Sequence, residues 1–240
     1  MKKTITVLQL YPNDMNIYGD NGNVLVLLRR LEWYGYAPRH ITYNPGDTLP
    51  EEVDIVVGGG GQDSGQDAIH ADLIAIGPRL KQWADKGVPM LLVCGLYQLF
   101  GHSFTTLEGR VLTGIGVLDL TTQGTTERLI GNIVTTTKEF GDIIGYENHS
   151  GQTYLGDTAL PFAKVIKGAG NNATEGHEGA RYNNVIGTYL HGSVLPKNPA
   201  LADFFIAAAI KCAHNETLPK NAINDTYAQQ ARKIARSRPR

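Results

Sequence analysis

Residues 88–101 read VPMLLVCGLYQLFG. The apolar run Val88–Val93 is short and strand-like, and from Gly95 the spacing turns helical, with Cys94 at the joint. A strand entering a helix through Val93-Cys94-Gly95 is the cysteine form of a nucleophile elbow, a sharp turn that lifts the reactive side chain above a sheet edge. Gly95 leaves room for the strained turn and for a substrate. At the head of a helix, unpaired N–H groups and the helix dipole favour thiolate over thiol, and the same N–H groups can hold an oxyanion. The plain alternative is a small buried hydrophobe, the usual fate of a lone cysteine.

Outward from this joint, strand-like runs alternate with amphipathic stretches. TITVLQL (4–10) precedes GNVLVLLRRLEWYG (22–35), and VDIVVGGGG (53–61) precedes DLIAIGPRLKQWADKG (72–87). That alternation predicts an α/β fold with a mostly parallel central sheet flanked by helices. Gly35 is placed to end the first helix. Beyond residue 105 the texture changes to RVLTGIGVLDLTTQGTTERLIGNIVTTT (110–137), whose Thr, Val and Ile content predicts extra antiparallel strands and hairpins. Further strands are expected at AKVIKG (163–168) and NVIGTYLHG (184–192), and a helix at NPALADFFIAAAIKCA (198–213). We expect one domain over 1–210 and a helical, basic tail over 211–240. The last nine residues, RKIARSRPR, carry five basic side chains, read as a solvated helix end or as an attraction to an anionic surface.

A formal net charge of −1 with 42% apolar residues describes neither a nucleic-acid binder nor a disordered chain. The two cysteines, Cys94 and Cys212, form no CxxC pair, so neither a disulfide scaffold nor a thiolate metal site is expected, and a reducing cytoplasm fits. No apolar run approaches the roughly 20 residues of a membrane span, and the N-terminal stretch is too short for a signal segment. The four Asn-x-Ser/Thr sites at Asn148, Asn172, Asn215 and Asn224 are read as chance.

A cysteine nucleophile needs a proton acceptor. Of seven histidines, only His191 ends a strand-like run with glycine after it, where α/β sheets gather catalytic groups. Two positions on, where an acid could orient the imidazole, stands Ser193. GGGGQD (58–63) follows a strand but fits neither GxGxxG nor GxxxxGK[ST], so it is better suited to bring backbone N–H groups against a substrate carbonyl than to bind phosphate. With no Walker motif, any ATP the reaction needs must be handled by another polypeptide.

The Gly-rich loop, cysteine elbow and strand-borne histidine, in that order, resemble the class I (triad) glutamine amidotransferases. CGLYQLFG (94–101), GYENHSG (145–151) and GTYLHG (187–192) are similar to motifs of the CobB/CobQ-like branch, with Leu96 where a glycine is usual. The resemblance covers about residues 4–208 and implies the flavodoxin-like fold of that class. LYPNDMNIYGDNGNVLVLLRRLEWYG (10–35) together with GGGGQD further resembles the glutaminase subunits of lipid II isoglutaminyl synthases. The resemblance implies Cys94 as nucleophile, His191 as general base and acid, and Gln98 and Arg128 as contacts to L-glutamine, with backbone N–H groups near Gly60 and after Cys94 for the oxyanion. It also implies a heterodimer with a Mur-ligase-like partner, MurT, which would hold ATP and magnesium and reach lipid II at the inner membrane face. No cofactor or metal is expected in this chain. Many class I enzymes carry a glutamate two residues after the histidine. With Ser193 there, the resemblance implies an acid from the partner, with Glu147 as the alternative within this chain. A cobyrinate-type amidotransferase subunit, a non-catalytic binding module on the same fold and a generic cysteine hydrolase are the competing expectations.

Overall fold

The structure is a computed structural model describing residues 2–220 and 223–239, so Arg240 of the basic tail lies outside it. Two sheets carry the chain. The first contains β1 (Thr4–Leu10), β2 (Ala37–Tyr43), β3 (Ile55–Gly58) and β4 (Met90–Val93), linked by α1 (Asn21–Trp33) and α2 (Asp63–Asp85). After α3 (Gly95–Leu99) come β5 (Ser103–Thr105), β6 (Val111–Thr113), the long pair β7 (Leu120–Thr137) and β8 (Gly141–Leu155), then β9 (Ala163–Lys167) and β10 (His177–Glu178). The chain returns to the first sheet through β11 (Ala180–Tyr182) and β12 (Val185–Thr188) and closes with α4 (Pro199–His214) and α5 (Thr226–Ser237).

The first sheet has the order β11-β12-β4-β3-β1-β2, parallel except for β11 against β12. Its central strands are apolar throughout, because helices cover both faces: β3 and β4 are buried at every residue. Register then sets the site. Gly58 is level with Leu92, and Val93 with Thr188, so the chain leaves β3, β4 and β12 along one edge of the sheet. That edge receives the glycine loop, Cys94 and the segment leading to His191, as ligand sites in open α/β sheets do.

The strands expected beyond residue 105 form a sheet of their own, β10-β9-β7-β5-β6 with β8 on β7, antiparallel as expected except that β5 runs parallel to β7. The β7–β8 ladder breaks register between Gly124 and Leu129, a bulge that re-aims the side chains there. Three boundaries differ from the sequence reading. Helix α2 starts at Asp63 rather than 72, since Gln66 and Ile69 already face the core. Strand β2 lies at the sheet edge with a mostly polar pattern that gave no apolar signal. The division drawn at 210 falls inside α4, and α5 docks on the body: Arg232 donates to Asn198 Oδ1 (2.7 Å) and to the carbonyl of Asp142, and Arg236 pairs with Asp142 at 2.9 Å.

Candidate active site

Cys94 sits at φ 51°, ψ −104°, a backbone conformation that costs a non-glycine residue on the order of 1–3 kcal/mol. The surrounding hydrogen bonds hold it there: its N–H donates to the Thr188 carbonyl (2.9 Å), and its carbonyl accepts from Gln98 N–H (2.9 Å). The elbow read from the sequence is present, with α3 ending at Leu99 rather than running to Gly101. The side chain opens into a cavity of about 410 Å³ shared with Tyr18, Gly61, Gln98, Arg128 and Asn148.

His191 lies three residues past the end of β12, and a two-bond bridge to Tyr146 of β8 steadies it (2.7 and 3.3 Å). Its ring is 1% exposed, with Tyr18 edge-on at 4.6 Å between centroids. Burial alone would lower its pKa, but the neighbouring Cys94 thiolate and the Asp20 carboxylate outweigh that and push it up to about 10. The surroundings therefore favour the protonated form of the imidazole.

Gly60 touches both partners. A Cβ on it would lie 2.8 Å from His191 Cε1 and 3.0 Å from Cys94 Cβ, so only glycine lets the loop approach this closely. Its N–H, however, is not directed at a substrate oxygen. It donates to Asp20 Oδ2 at 2.8 Å, which corrects its reading as an oxyanion donor, while its carbonyl accepts from Ile17 N–H at 3.0 Å. Its neighbour Gly61 does line the cavity and packs against Gly95.

Asp20, which the sequence reading did not single out, is 2% exposed and places Oδ2 3.5 Å from His191 Nδ1. The available signal was the asparagine-rich MNIYGDNG (15–22), quoted for resemblance without a role for its acid. Ser193 serves the same segment: its hydroxyl donates to the Gly19 carbonyl at 2.7 Å. Glu147, the acid considered within this chain, accepts from the N–H groups of Ala169 and Gly170, both at 2.8 Å.

The two residues expected to bind substrate face the same cavity. Gln98 is held at both ends of its amide, Oε1 accepting from Gln66 Nε2 (2.7 Å) and Nε2 donating to Tyr189 Oη (3.1 Å). Arg128 rises from the β7 bulge, with Nε donating to Asn148 Oδ1 (2.6 Å) and Nη2 to Tyr18 Oη (3.1 Å). His149 also lines the cavity, stacked on Tyr189 at 3.6 Å. Burial holds its pKa down to about 4, so it stays neutral. Among the described residues no group of His, Cys, Asp and Glu has the geometry of a metal site.

The model of the CobB/CobQ-like glutamine amidotransferase domain matches residues 6–199. The chain belongs to that family. This CobB/CobQ-like amidotransferase is 35% identical over 226 residues to the lipid II isoglutaminyl synthase (glutamine-hydrolyzing) subunit GatD of Staphylococcus aureus, covering 94% of this chain and 92% of that one. Against the GatD subunit of Streptococcus pneumoniae it is 34% identical over 232 residues, covering 94% and 88%. A solved glutamine amidotransferase superposes with a TM-score of 0.58 at 14% identity over 84% of this chain and 98% of the other, which supports the class I fold. The amidotransferase is thus a glutamine-hydrolysing enzyme by family, and no described helix is long and apolar enough to cross a membrane.

Proposed function

We propose that this chain hydrolyses L-glutamine and delivers the ammonia to a MurT-like, ATP-dependent ligase that amidates the α-carboxyl of D-glutamate in lipid II. The observation that carries the reading is Cys94, backed by the buried His191, opening into a cavity that the Arg128 guanidinium also lines. The near full-length similarity to GatD subunits supports the acceptor.

Arg128 would receive the α-carboxylate of glutamine in its planar fork, bringing the side-chain amide to Cys94. The thiolate attacks the amide carbon, and the oxyanion faces the backbone N–H groups of Gly61 and Gly95. His191 gives its proton to the departing nitrogen as the C–N bond breaks, leaving a γ-glutamyl thioester and ammonia. Water then attacks the thioester, His191 takes its proton, and the C–S bond breaks to release glutamate and restore the thiolate. The partner would hold ATP and magnesium and work at the membrane face where its lipid-linked acceptor lies.

The test is co-purification with a MurT-like ligase, followed by two assays: glutamate release, and glutamine- and ATP-dependent amidation of lipid II. Both should require Cys94, with Cys94→Ser giving neither product. Glutamine left intact by the chain, alone and with the ligase, would overturn the reading.

A further inference from the structure

We propose that Gln66 is a positioning residue of this active site: it fixes the amide of Gln98 so that a hydrogen-bond donor, not an acceptor, faces the cavity beside Cys94. The inference rests on the glutaminase reading above and deepens it, naming what sets the polarity of one substrate contact.

The two ends of a glutamine amide are alike in shape and opposite in polarity, so Gln98 can serve an oxygen of the substrate only if its NH2 end is held toward the cavity. That end donates to Tyr189 Oη at 3.1 Å and packs against Gly151, and both Gln98 and Gly151 line the cavity. Tyr189 cannot enforce the orientation. A hydroxyl donates or accepts, and this one continues into Thr153 Oγ1 (2.6 Å) and from there into Thr122 Oγ1 (2.7 Å), a row of hydroxyls that can reverse together.

The polarity comes from the other end. Gln98 Oε1 accepts from Gln66 Nε2 at 2.7 Å, and the same Nε2 donates to the backbone carbonyl of Gly95 at 3.3 Å. A carbonyl only accepts. Gly95, in the nucleophile elbow itself, therefore dictates which end of Gln66 faces it, and Gln66 dictates which end of Gln98 faces α2. The second Nε2 hydrogen of Gln98 is left for an acceptor oxygen of bound glutamine. The early start of α2 at Asp63 is what brings Gln66 to this place.

Packing does not account for a glutamine here. Gln66 is 1% exposed, is not among the residues lining the cavity, and leaves its Oε1 buried without a hydrogen-bond partner among the described residues. An orphaned buried acceptor is costly, and an apolar side chain of similar size would avoid that cost. What an apolar side chain would lack is the polarity passed from Gly95 to Gln98.

The test uses the chain together with its ligase partner and follows glutamate release. Gln66→Glu offers Gln98 only acceptors, so the Gln98 amide turns over and presents its oxygen to the substrate. Gln66→Met keeps the volume and removes the lock without adding a charge. Both should raise KM for glutamine about tenfold while kcat stays within about threefold of wild type. Gln98→Glu, with no N–H to offer, should raise KM at least as much, and adding Gln66→Met to it should raise KM little further, since Gln66 acts through Gln98. Independently of turnover, NMR of the isolated chain should show NOE contacts from the Gln98 side-chain NH2 to the Tyr189 ring, lost in Gln66→Glu. An unchanged KM in both Gln66 variants, a fall in kcat alone, effects that add to those of Gln98→Glu, or an NOE that survives in Gln66→Glu would each overturn the proposal. A wild-type complex that hydrolyses no glutamine would instead sink the functional reading, and the NOE would still decide the role of Gln66.

Discussion

At the scale of single residues, the site depends on side chains that are missing as much as on those present. Gly60 is the clearest case, because a single methyl there meets His191 and Cys94 at once. Gly60→Ala should leave a folded protein, at a cost of about 1–3 kcal/mol for the overpacking, yet reduce kcat/KM for glutamine roughly 100-fold by pushing the pair apart. Steady-state kinetics beside a thermal melt would check this, and full activity with the alanine would show that the loop can retreat. Cys94 and His191 were legible in the sequence because each stands at a strand's exit next to glycine, a local pattern. Asp20 was not, because its place beside His191 arises only when Gly60 and Ser193, remote in sequence, fix the loop that carries it. Gly60 was singled out from its glycine loop alone; the structure sets it against the pair, with its own N–H on Asp20.

At the scale of elements, the exit of β12 is set by a residue outside the reaction. Glu178, at the end of β10, accepts from Thr188 Oγ1 (2.9 Å) and Tyr189 N–H (2.7 Å), fixing the turn that delivers His191. Burial raises its carboxyl pKa to about 8, despite those two donors. A folded-state pKa above the unfolded value means that the folded chain holds the proton more tightly. The stability this gives is full below the unfolded pKa of about 4.5 and is lost as pH rises through about 8, at about 1.4 kcal/mol per unit of separation. Glu178→Gln keeps Oε1 as acceptor and removes the charge, so its stability relative to wild type should improve from pH 5 to about pH 8 and level off above it in urea melts. A difference that does not change with pH would contradict this. The parallel core was readable because β3 and β4 are buried on both faces and apolar throughout, whereas β2 and the first two turns of α2 were missed, being half-exposed with no apolar period to detect.

At the scale of the molecule, the candidate site draws on both sheets. The first sheet carries Cys94, Gln98 and the approach to His191, the second carries Arg128 and Asn148, and the cavity is lined from both. Away from it, Arg30 of α1, 5% exposed in its side chain, binds Asp203 of α4 (2.8 Å) and Asp225 before α5 (2.6 Å), joining three helices. Arg30→Ala would leave both carboxylates uncompensated. Since each is about a quarter exposed, the expected loss is about 2–3 kcal/mol, below that of a fully buried pair. It should appear as a lower urea midpoint, together with faster proteolysis after residue 215 as α5 comes loose. Unaltered proteolysis would mean that the Arg232 and Arg236 contacts alone hold that helix. The tail looked like a frayed end in sequence because its docking uses arginines on polar partners remote in sequence, Asn198 and Asp142.

The Arg128 guanidinium is already engaged before glutamine arrives, by Asn148 and by the Tyr18 hydroxyl. Those two contacts use Nε and one hydrogen of Nη2, so the fork is oriented while Nη1 keeps its donors for an incoming anion. On the function proposed above, that prearranged charge would favour free glutamine over glutamine within a peptide chain, whose α-carboxyl has become a neutral amide.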